Sequence, residues 1–300
     1  MDKILAGQKV KIAVLGSKGR IGKPIAEFFR SRGFEVRGVD HKTSNHVHEH
    51  VEIAFPSSDE NITAVEWADV VIFSILPIQA GLMEMSHQAK HSRPDQLWMD
   101  MTSVKAEPIT KMLESRAEVV GLHPSGVPQG KVWDDITLMV VPARLYVWKE
   151  WVEWFLKETG AKIKTMTAEE HDRMALMNQV VPHTLLRLLS RLLKRTGTGV
   201  VQTDMASVMD NATPFSKIMA AQLGRMFKNE AELYAGVFFH NPQTPKALEM
   251  LAEEIKALQR QYETQDQESY RANFVTDGKY FGTQNIEHCE DRFRRFLKVL

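Results

Sequence analysis

The sequence predicts an α/β fold in which a doubly wound parallel sheet, residues 1–166, precedes an all-α domain, residues 167–300. From residue 10 to about residue 165, short runs of β-branched and apolar residues alternate with stretches of helical spacing, which is typical of parallel βα units. After residue 165 the strand pattern stops and long helical patterns follow. A chain of 300 residues is also long enough for two domains.

The predicted strands are short runs rich in Val, Ile and Leu. They cover residues 10–15, 34–39, 70–75, 97–101, 119–122, 138–141 and 161–164. Helical spacing predicts connecting helices over residues 21–32, 78–89, 108–116 and 144–158. Because helices alternate with strands along the chain, we expect right-handed crossovers between parallel strands.

The second predicted domain contains helices only. Their patterns cover residues 168–195, 203–226, 230–238, 244–264 and 266–281. Gly, Pro and Asn interrupt the periodicity at residues 196–199, 241–245 and 278–283, so we expect the chain to turn there. In the sheet domain, Trp148, Trp151 and Trp154 recur on one helix face and are expected in the core.

Composition argues against several classes of function. Lys and Arg together number 38, as do Asp and Glu, so the net charge is zero and nothing favours nucleic acid or an anionic membrane. The single cysteine, Cys289, cannot form an internal disulfide or a Cys-based metal site, and it fits a reducing compartment. The sequence shows neither a signal segment nor a run of roughly 20 apolar residues, so we expect a cytoplasmic protein.

The sharpest local motif is a glycine-rich turn between the first predicted strand and the first predicted helix. It reads G-S-K-G-R-I-G over residues 16–22. Glycines at this spacing let the backbone approach a pyrophosphate, whose charge the helix N-terminus stabilises. We therefore expect a Rossmann-type dinucleotide site formed by Gly16, Ser17, Lys18, Gly19, Arg20, Ile21 and Gly22.

Asp40 favours NAD as the cofactor. It follows the second predicted strand, 18 positions beyond Gly22, where a carboxylate binds the ribose hydroxyls of NAD and repels the 2′-phosphate of NADP. The alternative to a cofactor site is an ordinary βα turn that an acidic residue follows by chance. The alternative to an NAD preference is that Lys42 accommodates the 2′-phosphate of NADP. Further residues are expected near the nicotinamide half because ligands bind beyond the carboxyl ends of parallel strands. These residues are Ser74, Leu76 and Pro77.

His123 follows the fifth predicted strand and precedes a loop rich in Gly and Pro. A histidine there is suited to be a general base near neutral pH, and equally to be a hydrogen-bonded structural residue. The residues alone leave both roles open. His46, His48 and His50 alternate in an extended segment, where we expect solvated histidines rather than zinc, because a straight row cannot surround a tetrahedral ion.

Several motifs occur in order along nearly the whole chain. They are the glycine turn, Asp40, S-V-K at residues 103–105, G-L-H-P at residues 121–124, E-H-D at residues 170–172, Pro182-His183 and G-R-M-F at residues 224–227. In this combination the sequence resembles the prephenate dehydrogenase family. These enzymes of tyrosine biosynthesis oxidatively decarboxylate prephenate or arogenate with a nicotinamide cofactor.

The resemblance implies a role for each matching residue. His123 matches the base that takes the proton of the substrate C4 hydroxyl while hydride leaves C4 for the nicotinamide. Ser103 matches the serine that orients this histidine, and Lys105 matches a basic residue near the substrate. Arg225 matches the arginine that binds a substrate carboxylate, for which a planar guanidinium is well suited. His183 matches a histidine that faces the substrate.

Arg187 shares a helix face with His183 through its i, i+4 spacing, and we expect it to be a second carboxylate contact. For Arg225 the alternative is a solvated helix charge, and for His183 it is a core histidine. The family's C-terminal helices intertwine into a dimer, so the resemblance also implies a homodimer. Because only about ten residues precede the first predicted strand and nothing follows the helices, we expect the monofunctional dehydrogenase core, without a chorismate mutase segment.

The sequence departs from the family near the expected substrate position. Val180 stands where many members have a histidine, Gln129 stands where many have an acidic residue, and the residues after Pro124 also differ. NAD-dependent oxidation of prephenate to 4-hydroxyphenylpyruvate is the leading prediction. Arogenate and 4-amino-4-deoxyprephenate are alternative substrates. A dehydrogenase of hydroxy acids and a non-catalytic NAD-binding sensor are alternatives of other classes.

Overall fold

The structure is a computed structural model that describes residues 10–40, 59–130, 132–199 and 205–297. Contacts within the chain divide it into two compact units. The first unit is Met1–Thr184 with Phe227–Gln243, and the second is Leu185–Met226 with Thr244–Leu300. The domain boundary between residues 166 and 167 remains a prediction. Of the helices within the described ranges, none is both long and apolar enough to cross a bilayer.

The first unit contains one seven-stranded sheet. Its strands are β1 (Lys11–Leu15), β2 (Glu35–Val39), β3 (Val70–Phe73), β4 (Leu97–Asp100), β5 (Glu118–Pro124), β6 (Thr137–Arg144) and β7 (Lys162–Thr165). In space they follow the order β2-β1-β3-β4-β5-β6-β7. All neighbouring pairs are parallel except β5 and β6. The mostly parallel sheet confirms the predicted fold class.

The antiparallel pairing of β5 with β6 corrects the prediction of a wholly parallel sheet. His123 lies opposite Met139, and Pro124 lies opposite Leu138. The described residues between the two strands, 125–130 and 132–136, contain no helix. A parallel pair needs a crossover that is usually helical, whereas a shorter irregular connection is enough for antiparallel neighbours. The chain therefore turns back after β5.

Five helices of the first unit cover the two faces of the sheet. They are α1 (Gly22–Ser31), α2 (Asp59–Trp67), α3 (Ile78–Gln88), α4 (Ala106–Leu113) and α5 (Lys149–Thr159). α1 and α5 share one hydrophobic cluster with alternate residues of β1, and α2, α3 and α4 share another with the intervening ones. The sheet is therefore doubly wound, as predicted.

Aromatic side chains fill the cluster under α1 and α5. Trp151 stacks on Phe29 with ring centroids 5.8 Å apart, and both side chains are buried. Trp148 is also buried, whereas Trp154 packs against the cluster while partly exposed. The predicted core role of this tryptophan row is confirmed.

α2 is not among the predicted helices. Its sequence, D-E-N-I-T-A-V-E-W, has no clear apolar stripe. Asn61, Ala64 and Val65 are its buried residues. Because packing of a helix on a sheet supplies most of its stability, a helix can form without a strong periodic pattern.

After β7 the described chain is helical, as predicted. The elements are α6 (Ala168–Ala175), a π-helical turn (Leu176–Val180), α7 (Val181–Gly199), α8 (Met205–Asp210), α9 (Pro214–Lys228), α10 (Ala231–His240), α11 (Thr244–Glu263), α12 (Gln267–Phe281) and α13 (Thr283–Leu297). The predicted turn at residues 196–199 is wrong, because α7 continues to Gly199. The turn near residue 282 is confirmed at Gly282, whose φ is 77°. The unpredicted α13 is mostly polar.

One edge of the sheet gathers most of the predicted site residues. β1, β3, β4 and β5 are parallel neighbours, so their carboxyl ends lie side by side. The glycine turn follows β1, residues 74–77 follow β3, and residues 101–105 follow β4. His123 is the penultimate residue of β5.

Candidate active site

The glycine turn leaves no room for side chains at two of its positions. Gly16 has a φ of 87°, and a Cβ atom there would collide with the carbonyl oxygen of Ser74. A Cβ atom on Gly22 would collide with the carbonyl oxygen of Gly16. The turn therefore forms a bare backbone surface at the start of α1, where a pyrophosphate can approach amide groups.

Asp40 lies beside this turn. Its Oδ2 atom accepts a hydrogen bond of 2.6 Å from the backbone N–H of Lys18. The turn is also joined to the end of β2 by the bond of 2.8 Å from Gly16 N to the carbonyl of Val39. The predicted phosphate-binding and ribose-binding residues are thus brought together, and this surface fits a dinucleotide.

The other predicted cofactor residues adjoin the same turn. Ser74 donates its backbone N–H to the carbonyl of Leu15 at 2.8 Å and places its own carbonyl under Gly16. Leu76 is 43% exposed, and Pro77 directly precedes α3. The side chain of Arg20 donates a hydrogen bond to Asn229, which follows α9.

Beyond β4 lies a buried polar cluster. The Lys105 ammonium is fully buried and donates to Asp100 Oδ2 and, at 3.2 Å, to Thr102 Oγ1. Burial lowers the pKa of Lys105, and the neighbouring Asp100 carboxylate opposes that shift. The side chain therefore lies in the interior, and the contact between Lys105 and the substrate stays a prediction.

His123 lies next to this cluster and is 5% exposed. Its Nδ1 atom is 2.9 Å from Nε2 of His171, whose Nδ1 atom is 2.9 Å from Oδ1 of Asp172. On the other side of the ring, the amide nitrogen of Gln179 is 3.4 Å from His123 Nε2. These contacts join the end of β5 to α6 and to the π-helical turn.

Asp172 is held by the start of α4. Its Oδ1 atom accepts the backbone N–H of Lys105 at 2.7 Å, and its Oδ2 atom accepts that of Ala106 at 2.9 Å. The side chain of Asn241 donates to the Asp172 carbonyl at 2.7 Å. Helix N-termini stabilise negative charge, so this position suits an ionised carboxylate.

The surroundings of both histidines lower their pKa values, which favours neutral imidazoles near pH 7. The pKa of His123 is well below its ordinary value, first because the ring is buried and then because His171 and Lys105 oppose a positive charge. Burial also lowers the pKa of His171, although Asp172 partly offsets this. A neutral imidazole can accept a proton, which is the property that a general base needs.

The structure leaves four predicted contacts as proposals. Ser103 is half-buried, and within the described residues the neighbours of the His123 ring nitrogens are His171 and Gln179 instead. His183 packs edge-to-face on Tyr234, with ring centroids 4.7 Å apart. The two predicted carboxylate contacts belong to the second unit, where both are exposed. They are Arg187 on α7 and Arg225 on α9.

Sequence reasoning did not assign a role to His171, Asp172 or Gln179. His171 and Asp172 belong to the E-H-D motif, and both are buried polar residues in α6. The usable signal was a strong N-terminal cap: Thr167 and Glu170 form a reciprocal capping box that fixes the start of this helix. The cap does not reveal that His171 and Asp172 are buried, or which residues they contact.

No group of three or more metal-binding side chains occurs in the parts of the chain that the structure describes. His46, His48 and His50 lie outside the described residues.

Comparison with known proteins identifies two family models. Residues 25–131 match "Prephenate dehydrogenase, nucleotide-binding domain", and residues 167–276 match "Prephenate dehydrogenase, dimerization domain". A probable arogenate/prephenate dehydrogenase of Methanocaldococcus jannaschii is 26% identical over 91% of this chain, which spans 61% of that relative's length. A T-protein of Haemophilus influenzae is 28% identical over 94% of this chain and 70% of its own length.

A similar fold occurs in a solved structure. Prephenate dehydrogenase from A. aeolicus, in complex with hydroxyphenyl propionate and NAD+, superimposes with a TM-score of 0.61. The alignment covers 98% of this chain and 100% of that one at 15% identity. At this identity the likeness concerns the fold alone.

Proposed function

Because the chain belongs to the prephenate/arogenate dehydrogenase family, with its nucleotide-binding and dimerization domains, we propose that it converts prephenate to 4-hydroxyphenylpyruvate with NAD. The observation that carries this proposal is the buried, neutral His123 at the sheet edge that also holds the glycine turn. A base and a dinucleotide-binding turn at one edge are what a dehydrogenation of an alcohol carbon needs.

The proposed reaction uses His123 as a proton acceptor. When bound, NAD supplies the acceptor for the hydride on C4. His123 Nε2 takes the proton of the C4 hydroxyl, so that a C4 carbonyl forms. The bond between the ring and its carboxylate then breaks, CO2 leaves, and the electron pair of that bond makes the ring aromatic. The phenolate oxygen regains the proton from His123, so the base ends unchanged.

NAD would be held by the glycine turn, residues 16–22, and by Asp40. The Lys18 amide fixes the Asp40 carboxylate beside the turn. A fixed negative charge there opposes a 2′-phosphate, which supports NAD over NADP. The bare backbone at Gly16 and Gly22 supports the pyrophosphate position.

Substrate carboxylates would be bound by Arg225 and Arg187, since a guanidinium pairs with a carboxylate through two parallel hydrogen bonds. His183 and Lys105 complete the proposed set of substrate residues, and Ser103 would orient His123. The dimerization domain supports a homodimer through the C-terminal helices. Tyrosine biosynthesis is the process to which this reaction would belong.

Arogenate and 4-amino-4-deoxyprephenate remain alternative substrates. They share the ring chemistry with prephenate and differ in single amino-for-oxygen replacements, and Val180 removes a polar group that many members have near the substrate. A non-catalytic NAD-binding sensor is the alternative of another class.

The test is the rate of NADH or NADPH formation, followed by absorbance, with each of the three substrates and each cofactor. We expect turnover of prephenate with NAD, and a loss of about 10²- to 10⁴-fold in kcat for His123→Asn, the usual contribution of a general base. Turnover of only one amino-bearing substrate would move the assignment to that substrate. NAD binding without turnover of any of them would support the sensor.

A further inference from the structure

Three buried side chains form a continuous hydrogen-bonded row in the first unit. His123, His171 and Asp172 are 5%, 0% and 1% exposed. The two links of the row, His123 Nδ1 to His171 Nε2 and His171 Nδ1 to Asp172 Oδ1, are each 2.9 Å long. His171 and Asp172 therefore contact the expected base without lying at its proton-accepting nitrogen.

The positions of the protons in this row can be deduced starting from Asp172. Both oxygens of Asp172 accept backbone N–H groups, from Lys105 and Ala106, so this carboxylate acts only as an acceptor. His171 must then donate its Nδ1–H to Asp172, which leaves His171 Nε2 with a lone pair. That lone pair can only accept, so His123 must donate its own Nδ1–H to it.

The consequence is a fixed tautomer of His123. With its proton on Nδ1, the neutral ring has its lone pair on Nε2. The side-chain amide of Gln179 lies 3.4 Å from Nε2, and its N–H group is compatible with a lone pair there. The four side chains, which lie on β5, α6 and the π-helical turn, are thus compatible with a single arrangement of protons.

The charges around the row favour the same arrangement. The ionisable groups that face the two imidazoles are Lys105 and Asp100 beside β4 and Asp172 on α6. Burial and Lys105 oppose a positive charge on both rings, whereas Asp172 and Asp100 favour one on His171, so both imidazoles stay neutral in the absence of substrate. A proton taken up at His123 Nε2 would make Nδ1–H a stronger donor to His171 Nε2, because hydrogen bonds from a charged donor are stronger than neutral ones.

We propose that His171 and Asp172 are positioning residues that hold His123 in the tautomer whose Nε2 accepts the substrate proton. The tautomer of His123 is a property of the protein alone. The effect of His171 on turnover, called the kinetic half below, rests on the proposed function. Two measurements keep the two halves distinguishable.

The first measurement is the ¹⁵N NMR spectrum of the imidazoles in the full chain, near neutral pH and without substrate. The chain has 11 histidines, so the His123 and His171 signals are assigned by their loss in His123→Asn and His171→Asn. We expect both rings to be neutral, with protonated Nδ1 and unprotonated Nε2. Protonated Nε2 on His123, or rapid averaging between its tautomers, would overturn the proposal whether or not the protein turns over prephenate.

The second measurement compares two substitutions of His171 in steady-state kinetics. In His171→Gln the amide oxygen can reach the former Nε2 position and still accept from His123, whereas His171→Asn can reach only the former Nδ1 position. We expect kcat to fall about 10-fold in His171→Gln and about 10²- to 10³-fold in His171→Asn, with a nearly unchanged KM, because loss of the correct tautomer costs up to roughly 10⁴-fold in a triad.

A structural role for His171 would give a different pattern. Both variants would then lose activity in proportion to their loss of folded protein, and thermal unfolding would show it. His91→Asn is a control for the loss of a carboxylate-paired histidine away from His123, because His91 pairs with Glu66 at 3.0 Å at a more exposed position. Equal kcat losses in His171→Gln and His171→Asn, in folded proteins, would refute the kinetic half. Confirmed tautomers in a chain that turns over none of the substrates would instead refute the proposed function.

Discussion

The side chain of Lys105 packs directly against Gly121, where an added Cβ atom would lie 2.8 Å from the Lys105 Cδ atom. The same Cβ atom would lie 3.1 Å from Oδ1 of Asp100, the carboxylate whose Oδ2 atom pairs with the Lys105 ammonium. Gly121 therefore provides the space for a buried ion pair under β5, two residues before His123.

Gly121→Ala is expected to reduce the free energy of unfolding by about 1–3 kcal/mol, the usual cost of overpacking a core. Lys105 cannot move away freely because its ammonium is bound to Asp100. Urea unfolding measures the change. Gly126→Ala is the control, since a Cβ atom there meets nothing within 4 Å, and an equal loss in both variants would contradict the packing argument.

Lys105→Met is expected to destabilise the fold by about 3–5 kcal/mol, because it leaves the buried Asp100 carboxylate without its partner. The substitution should also raise the pKa of His123, because Lys105 contributes to lowering it. Urea unfolding and an NMR titration of His123 measure the two effects. The double variant Asp100→Asn/Lys105→Met removes both charges and should recover most of the stability. A double variant no more stable than Lys105→Met would show that packing, not the unpaired charge, sets the cost.

Stability is expected to fall as the pH decreases below about 6.5, the ordinary pKa of histidine. Burial lowers the pKa of His123 and His171 in the folded protein. Between the ordinary pKa and these lower values, the unfolded chain binds protons that the folded chain does not, so the free energy of unfolding decreases with decreasing pH. Urea unfolding at about pH 7.5 and about pH 5.5 measures this dependence. His171→Gln removes one of the two groups and should show a smaller decrease than the unsubstituted protein. An identical decrease would exclude His171 as a source.

Asp40→Asn is expected to lower the preference for NAD over NADP about tenfold, which corresponds to ~1.4 kcal/mol. The amide oxygen can still accept the Lys18 N–H, so the turn keeps its bond while the negative charge is removed. The ratio of kcat/KM values for the two cofactors measures the preference, or the ratio of their dissociation constants if no substrate is turned over. A ratio equal to that of the unsubstituted protein would mean that the Asp40 charge does not discriminate against the 2′-phosphate.

Sequence patterns over a few residues predicted the strands and the glycine turn. The strands and the glycine turn follow from alternation and spacing, because burial in a parallel sheet demands apolar runs and a close phosphate approach demands glycine. The direction of β6 could not be predicted in this way. It depends on how the chain returns after residue 124, which is a matter of tertiary packing.

In the candidate site, too, some residues could be located from the sequence, whereas their partners could not. His123 could be located from its place after a strand, but its partner His171 is 48 positions later in the chain. No periodicity connects residues at such a separation. Lys105 is a second example. A basic residue beside a predicted site suggests a ligand contact, but its buried pairing with Asp100 depends on tertiary packing and could not be predicted.

The row of His123, His171 and Asp172 also has a consequence for recombination between relatives. His123 lies before residue 166, while His171, Asp172 and the supporting Asn241 lie after it. A chimera joined at residue 166 would therefore take the base from one parent and its partners from the other. Exchange of the Leu185–Met226 segment instead would leave all four residues from a single parent, so the modules that can be recombined here do not coincide with the two halves of the sequence.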